Sequence, residues 1–222
     1  MKKTILLFII LIGGQLQSQN NSNVELTDYI RESQQWIRAN GKHTLTWWLP
    51  TSYWRVALSG NKQITEETIA QIEAIFGSYV LICAADIYID TNNGSTSFTA
   101  DSVLKKGITI TDITGKIYKP LNTEQLSNNA ITMIESIKPM LTQLLGQMGK
   151  GMYFYFFEIR TKNGENIINE RKNGFFKVNH SKCEFKWNLP MATLMPSKFC
   201  PTDNEKMHGN WNYCPFHGVK LD

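Results

Sequence analysis

The sequence lacks the short motifs that mark the common enzyme classes. It contains no Gly-x-Ser-x-Gly nucleophile elbow, no glycine-rich phosphate loop, no cysteine-nucleophile motif and no His-Glu-x-x-His helix. Lysine and arginine are scattered along the chain rather than gathered into a stripe, which argues against a nucleic-acid partner. We also find no internal repeat. These absences favour a non-enzymatic protein, and they leave the identity of its partner open.

The chain begins with a segment typical of secretory signal peptides. Lys2 and Lys3 give it a positive start, residues 4–12 form a short apolar core, and small residues follow for cleavage. The apolar core is too short for a membrane span, which needs about 20 residues, and no later stretch is long enough. Removing residues 1–18 leaves 21 basic residues against 19 acidic ones, a net charge of +2. We therefore predict a secreted or periplasmic protein of bacterial type that has no membrane contact after cleavage.

The rest of the chain shows helical and strand patterns in an irregular order. The patterns predict helices at about 25–39, 52–58, 66–76, 100–106 and 127–148. They predict strands at about 43–49, 79–90, 108–113, 116–118, 152–160, 175–179 and 183–187. This order is neither a regular βαβ alternation nor an all-β series. It predicts an α+β domain over residues 19–196, with helices packed on a mixed or antiparallel sheet, and a separate C-terminal element over residues 197–222.

The strand predicted at 79–90 alternates two sets of side chains. Leu81, Cys83, Ala85 and Ile87 share one uniformly apolar face, so Cys83 is predicted to be a core residue. Pairing of Cys83 with Cys183 in a disulfide is an alternative that would need an open face there.

Two groups of acidic residues suggest a secreted hydrolase acting on polysaccharide or peptide. Asp86 and Asp90 share a strand face but lie about 13 Å apart, which is too far for a glycosidase pair. Glu158 and Arg160 share a face of the aromatic strand and are more typical of a surface ion pair. We interpret Asp86 and Asp90 as solvated or turn-proximal acids and keep the hydrolase as an alternative.

An aromatic cluster suggests a ligand-binding module as a further alternative. Trp47 and Trp48 follow each other on one strand, with Tyr53 and Trp54 close behind. Adjacent strand residues point to opposite faces, so a single-sided strand would leave one of the two tryptophans exposed. His43, His180 and His208 are isolated in the sequence, and each is interpreted as a surface residue, with His208 also a spare metal ligand.

The C-terminus carries the strongest pattern for a specific chemistry. Two Cys-Pro-x-(Asp/His) hooks, at 200–203 and 214–217, are separated by a ten-residue loop. A metal knuckle needs two ligands on a tight turn. Proline after the first ligand presets the backbone, and glycine after the second, here Gly218, permits a left-handed residue.

This segment resembles the zinc-ribbon family, whose hooks run Cys-Pro-x-Cys-Gly-x-x-Leu. The resemblance covers residues 198–221, about a tenth of the chain. Carried over position by position, it implies a zinc-ribbon-like hairpin with one structural zinc held by Cys200, Asp203, Cys214 and His217. All four are permissible zinc ligands, and four protein ligands would leave no position for a catalytic water. The second ligand of each hook departs from the family's cysteine.

A disulfide between Cys200 and Cys214 is the competing interpretation. The first cysteines of the two hooks would lie close together in a ribbon, and a secreted protein meets an oxidising environment. Closing a loop of about 15 residues would stabilise the chain by roughly 3 kcal/mol in the chain-entropy model. The sequence thus predicts a non-enzymatic protein with a C-terminal ribbon closed by zinc or by a disulfide.

Overall fold

The computed structural model describes residues 25–90 and 92–222 of the chain. The predicted signal peptide, residues 1–18, lies outside the described residues. The helices are α1 (Leu26–Ser33), α2 (Thr51–Leu58), α3 (Glu66–Phe76), α4 (Asp101–Gly107), α5 (Asn128–Leu145) and α6 (Gln147–Lys150). The strands are β1 (Gln34–Ala39), β2 (Lys42–Leu49), β3 (Tyr79–Ile89), β4 (Thr96–Phe98), β5 (Thr109–Thr111), β6 (Ile117–Tyr118), β7 (Tyr153–Glu158), β8 (Gly174–His180), β9 (Cys183–Leu189), β10 (Lys198–Phe199) and β11 (Lys206–Met207).

The strands form two sheets and a small C-terminal ribbon, and all their pairings are antiparallel. In the first sheet β1, β2 and β3 follow in order, and the far edge of β3 pairs with both β7 and β4. The second sheet has the order β6-β5-β8-β9. This confirms the predicted α+β class. Within the described ranges, no helix combines the length and the apolar character needed to cross a bilayer.

Strand β3 lies at the centre of the molecule and is buried on both faces. Its residues from Val80 to Ile87 are all buried. Ile82, Ala84 and Asp86 face the second sheet, whereas Leu81 and Cys83 face the helices. Cys83 is therefore a core residue, as predicted. A strand covered on both sides explains why the sequence there is almost continuously apolar.

The same two-sided burial argues against the alternative of an exposed aromatic platform. Trp47 packs edge-on against Tyr53 of α2, with ring centroids 5.4 Å apart. Trp48 points to the other face and packs edge-on against Phe176 of β8 at 4.8 Å. Trp54 stacks on Phe76 of α3 at 4.3 Å. All four cluster aromatics, Trp47, Trp48, Tyr53 and Trp54, are at most 5% exposed, so they are core residues.

The helix predicted over 25–39 ends earlier than expected. Residues after Ser33 form β1, which pairs with β2 from Gln34 opposite Trp47 to Ala39 opposite Lys42. Asn40 and Gly41 form the two-residue turn, with φ of +49° and +74°. An Asn-Gly pair favours this left-handed hairpin turn, and that local signal outweighs the helical spacing of the apolar residues.

The N-terminus of α3 follows the sequence signals closely. The Thr65 side chain accepts a hydrogen bond from the backbone N–H of Thr68, and Glu66 and Glu67 occupy the first turn. Acidic side chains there are favoured by the positive end of the helix dipole. Thr65 is therefore the N-cap of this helix, which begins where the sequence pattern predicts.

Asp86 is buried between the two sheets, and its interpretation as a solvated acid is wrong. Its carboxylate accepts hydrogen bonds from the hydroxyls of Thr44, at 2.8 Å, and Ser181, and it pairs with the Lys42 ammonium at 3.0 Å. Burial alone would raise the pKa of Asp86, but these donors outweigh burial and hold the pKa below its usual value. The carboxylate joins β2 and β3 to the β8–β9 turn.

His180 is also buried at this junction, rather than on the surface as predicted. Its Nε2 shares a 2.6 Å hydrogen bond with the hydroxyl of Thr46, and its Nδ1 lies 3.3 Å from the Ser181 hydroxyl. Because Ser181 donates to Asp86, the network assigns the proton of His180 to Nδ1. Burial lowers the pKa of His180 to about 4. The imidazole therefore bridges the two sheets in its neutral form.

This burial predicts a loss of stability as the pH falls from about 6.5 towards 4. The unfolded chain takes up a proton at His180 in this range and the folded chain does not, which removes about 2 kcal/mol between pH 7.5 and pH 5. Urea unfolding of the wild type and of His180→Gln should show this pH slope in the wild type and a flatter one in the variant.

The variant comparison isolates His180 from the other groups that titrate. The pKa of Asp86 is lowered, so its contribution is lost below about pH 4. Burial raises the pKa of Glu170, whose contribution has the opposite sign. His43→Gln is the matched control and should keep the wild-type slope. Parallel pH curves for the wild type and His180→Gln would contradict the assignment.

Candidate metal centre

The two C-terminal hooks are copies of one eight-residue pattern, which the sequence analysis missed. Residues 200–207 read Cys-Pro-Thr-Asp-Asn-Glu-Lys-Met, and residues 214–221 read Cys-Pro-Phe-His-Gly-Val-Lys-Leu. Cysteine, proline and lysine are identical, and the last position is a large apolar residue in both. The signal was available, but two copies of eight residues fall below the length at which repeats are usually sought.

The two copies fold into the same tight turn. In each, the cysteine N–H bonds to the carbonyl five residues later, and the residue four positions later donates to the cysteine carbonyl. These bonds are Cys200 N–Glu205 O at 2.9 Å, Asn204 N–Cys200 O at 2.8 Å, Cys214 N–Val219 O at 2.7 Å and Gly218 N–Cys214 O at 2.8 Å. The fifth residue is left-handed in both hooks, with φ of +59° at Asn204 and +65° at Gly218. Glycine and asparagine tolerate this conformation best.

The hooks lie over a small core of their own. Met207 and Leu221, the last residues of the two copies, are buried together with Cys200 and Cys214, and Trp211 packs against them. This cluster is separate from the main core. The strand pair β10–β11 carries the first hook, and an isolated bridge between residues 213 and 220 closes the second.

The connector before the ribbon is fixed to the main body. The Glu32 carboxylate of α1 accepts bonds from the backbone N–H groups of Ala192 and Thr193 at 2.5 and 2.9 Å, and from the Thr193 hydroxyl at 2.7 Å. Within the ribbon, Gly209 approaches the connector so closely that a Cβ would lie 2.3 Å from the carbonyl oxygen of Pro196. The first ribbon turn is thus held against the α1 end of the molecule.

The turns bring the predicted ligands together at one end of the ribbon. The Nδ1 atom of His217 lies 3.3 Å from the Sγ of Cys200 and 3.6 Å from the Sγ of Cys214. The three ligand atoms all lie within 4.8 Å of one another. Asp203 lies at the margin of this group, with its Oδ2 atom 3.6 Å from the same Nδ1. Cys200, Cys214 and His217 are therefore close enough to bind one metal ion.

The distances from His217 Nδ1 to the two sulfurs and to the Asp203 oxygen resemble the edges of a zinc coordination tetrahedron. Zinc bond lengths of about 2.3 Å to sulfur and 2.0–2.2 Å to nitrogen and oxygen imply S···N edges of about 3.6 Å and N···O edges of about 3.4 Å. The two S···N distances and the N···O distance at His217 agree with these values within about 0.3 Å. An ion could be accommodated between Cys200, Cys214 and His217 with little movement, whereas the Asp203 carboxylate lies outside this group and would have to turn towards the ion.

The backbone donors around Cys200 and Asp203 favour the deprotonated ligands that a metal needs. Burial raises the pKa of the Cys200 thiol, but the backbone N–H groups of Thr202 and Asp203 outweigh it and bring the pKa below its usual value. The backbone N–H of Glu205, 3.0 Å from Oδ1 of Asp203, lowers the pKa of that carboxyl group. One oxygen of Asp203 is thereby anchored while the other faces His217.

No disulfide joins the hooks in the structure. All four cysteines lie in the described part of the chain and all are free. The Cys200–Cys214 bond is therefore not formed, and neither is the Cys83–Cys183 pairing. Cys83 is buried among apolar side chains, which raise the pKa of its thiol, and Cys183 is half-buried.

The residues considered for hydrolysis do not converge on one cleft. Asp86 is committed to its internal partners, and Asp90 lies in the turn after β3, where it accepts a bond from Asn92 N–H at 2.8 Å. Glu158 and Arg160 line a shallow cavity of about 350 Å³, in which Glu158 is the only carboxylate among the described lining residues. No pair of facing acids is formed.

His208 lies outside the group of ligands. Its ring packs against Trp211 with centroids 4.9 Å apart, on the loop between the hooks. The ribbon also exposes three aromatic side chains that the sequence analysis did not single out: Phe199, Tyr213 and Phe216.

The left-handed residue of the second hook provides a test of the turn. Gly218→Ala should be strained by its backbone conformation alone, because nothing lies within 4 Å of the added Cβ. A cost of about 1–2 kcal/mol corresponds to a roughly 5- to 30-fold loss of amide-exchange protection at the Cys214 N–H. Asn204→Gly is the matched control and should keep full protection. Equal protection in wild type and Gly218→Ala would contradict the turn geometry.

Comparison with known proteins gives no relative on which to rest a function. No family model, no curated protein and no solved structure matches the chain. The resemblance of the hooks to zinc ribbons therefore rests on their own sequence and geometry.

Proposed function

We propose that the C-terminal segment, residues 197–222, is a zinc-ribbon-like element that binds one structural zinc ion through Cys200, Asp203, Cys214 and His217. In this proposal the whole protein is a secreted or periplasmic non-enzymatic protein, and the ribbon is its structural cap or an interaction element. The observation that carries the proposal is the contact of both cysteine sulfurs with one imidazole nitrogen, at 3.3 and 3.6 Å.

The donor set favours zinc over harder ions. Two thiolates and an imidazole suit zinc, and a carboxylate is an acceptable fourth ligand. Calcium and magnesium prefer sites made of oxygen atoms alone. The tetrahedral separations at His217 point in the same direction.

A structural role is favoured over a catalytic one. With Asp203 as the fourth ligand, the ion has no open position for a reacting water. The anchoring of Asp203 by the Glu205 N–H supports its place in the site, because the free oxygen is already turned towards His217. The ribbon core is small, consisting of four buried side chains, so the ion would supply much of its stability.

Export is supported by the N-terminal sequence rather than by the fold. Residues 2–12 combine two lysines with a short apolar core, the pattern of a cleaved secretory signal. The near-balanced charge of the remaining chain gives no reason to expect a nucleic-acid partner.

Two histidines of the ribbon provide a matched test of the ligand set. His217→Ala removes the nitrogen that contacts both sulfurs, so zinc affinity should fall at least about 10-fold, whereas His208→Ala should keep it. Wild type purified without chelator should contain about one zinc per chain, measured by elemental analysis and by competition with a chromophoric chelator. Asp203→Ala should also weaken binding, and Asp203→Cys should strengthen it because it restores a thiolate.

The proposal fails if the reduced wild type binds no zinc. It also fails if His217→Ala and His208→Ala have the same affinity as the wild type. If His208→Ala lowered zinc affinity and His217→Ala did not, the ligand would be His208 instead of His217, and the proposed ligand set would be wrong.

Removal of the metal should unfold the ribbon and leave the main body intact. Chelator should abolish amide-exchange protection at the hook N–H groups of Cys200, Asn204, Cys214 and Gly218, because these turns have few other contacts. Protection in β3, which is buried by both neighbouring layers, should be unchanged. Hook protection that persists at full strength in metal-free, reduced protein would contradict a structural role for the ion.

A further inference from the structure

The two sulfurs of the candidate metal centre are also close enough to become bonded to each other. Both contact His217 Nδ1, and they lie within 4.8 Å of one another. A disulfide requires an S–S separation of about 2.05 Å, whereas two sulfurs on one tetrahedral zinc lie about 3.8 Å apart. Zinc binding and a Cys200–Cys214 disulfide therefore exclude each other.

We propose that Cys200 and Cys214 form a redox switch that controls the metal occupancy of the ribbon. In the reduced state the two thiolates hold zinc together with His217 and Asp203. In the oxidised state they form a disulfide, and the zinc is released. The oxidant is a disulfide of a small thiol, such as glutathione disulfide. This inference rests on the proposed zinc site and adds its regulation.

The two hooks are similar in structure, which supports a Cys200–Cys214 disulfide as the alternative to zinc for linking them. Each cysteine is the first residue of its turn, each is held by the same pair of backbone bonds, and both are buried in the ribbon core. A movement of at most about 3 Å, shared between two equivalent turns, brings the sulfurs to bonding distance. The disulfide would lie over Met207 and Leu221, so the small core keeps its apolar contacts in both states.

The site has a buried side, formed by the two cysteines, and a side open to solvent, formed by His217 and Asp203. Cys200 and Cys214 are 0% and 1% exposed, whereas the side chains of His217 and Asp203 are 35% and 34% exposed. An ion bound here occupies the electron pairs with which the two thiolates would attack a disulfide, and its removal loosens the turns that bury the sulfurs. Zinc thereby protects the thiolates from the oxidant, and the metal-free ribbon is the form that reacts.

The proposed exchange balances in atoms and electrons. One thiolate of the pair attacks a sulfur of the small disulfide, forms a mixed disulfide and releases the first small thiolate. The second cysteine thiolate attacks the protein sulfur of that mixed disulfide and releases the second small thiolate. The zinc dissociates as the hydrated ion before the first attack. The two cysteines then lose two electrons in all, and the small disulfide gains them. A dithiol reductant reverses both steps.

The test compares metal-free and zinc-loaded full-length chain in glutathione disulfide. Mass spectrometry after digestion should show a Cys200–Cys214 link and a mass loss of two hydrogens in the metal-free chain. The zinc-loaded chain should react at least 10-fold more slowly. Dithiothreitol should restore both thiols and stoichiometric zinc binding. Cys183, which is half-buried and lies in β9 of the second sheet, serves as an internal control whose reactivity should not depend on zinc.

His217→Ala provides a second arm that leaves both cysteines in place. Its weakened site should allow the disulfide to form even with zinc present, whereas His208→Ala should be protected like the wild type. Separate glutathione adducts on the two cysteines, no reaction of the metal-free chain, or equal rates with and without zinc would overturn the switch. If zinc binds to the reduced chain but no disulfide forms, the switch alone fails. If no zinc binds, the proposed site fails and the switch with it.

Discussion

Burial of strand β3 on both faces is the constraint on which the rest of the structure depends. Helices cover one face and the second sheet covers the other, so every side chain from Val80 to Ile87 loses contact with water. Any polar group in this strand must find its partners inside the protein. Asp86 does so through Lys42, Thr44 and Ser181, which makes the contact between the two sheets specific as well as apolar.

The C-terminal ribbon is stabilised in a different way. Only four of its side chains form a buried cluster, which is far too little apolar surface for an independent core. Its position depends on the Glu32 contacts to the connector and on the close approach of Gly209. In the proposed site a coordinate link between the hooks adds to this stability, and Cys200, Cys214 and His217 lie close enough together to supply one.

Much of the fold could be predicted because its signals are local. The Thr65 cap, the alternation around Cys83 and the paired hooks each depend on a few neighbouring residues. The overlong helix over 25–39 is an error about a local signal, the Asn40-Gly41 turn, whereas the other errors concern what covers a face. Alternation shows that Trp47 and Trp48 point in opposite directions, but it cannot reveal that a second sheet, distant in sequence, buries the second tryptophan. The burial of His180 was missed for the same reason.

In the proposed zinc site the four ligands differ both in their exposure to solvent and in whether they can form a disulfide. The two oxidisable thiolates lie on the inner side of the site, and the imidazole and the carboxylate, which do not form disulfides, lie on the side that solvent reaches. A site with four thiolates on zinc would carry a net charge of −2 and expose two sulfurs to solvent. Replacing two of the thiolates by a neutral imidazole and an aspartate carboxylate changes the net charge to −1. It also leaves a single pair of sulfurs, which can form one disulfide. In the proposed site, the departure from four cysteines thus leaves one disulfide that the ligands can form with each other.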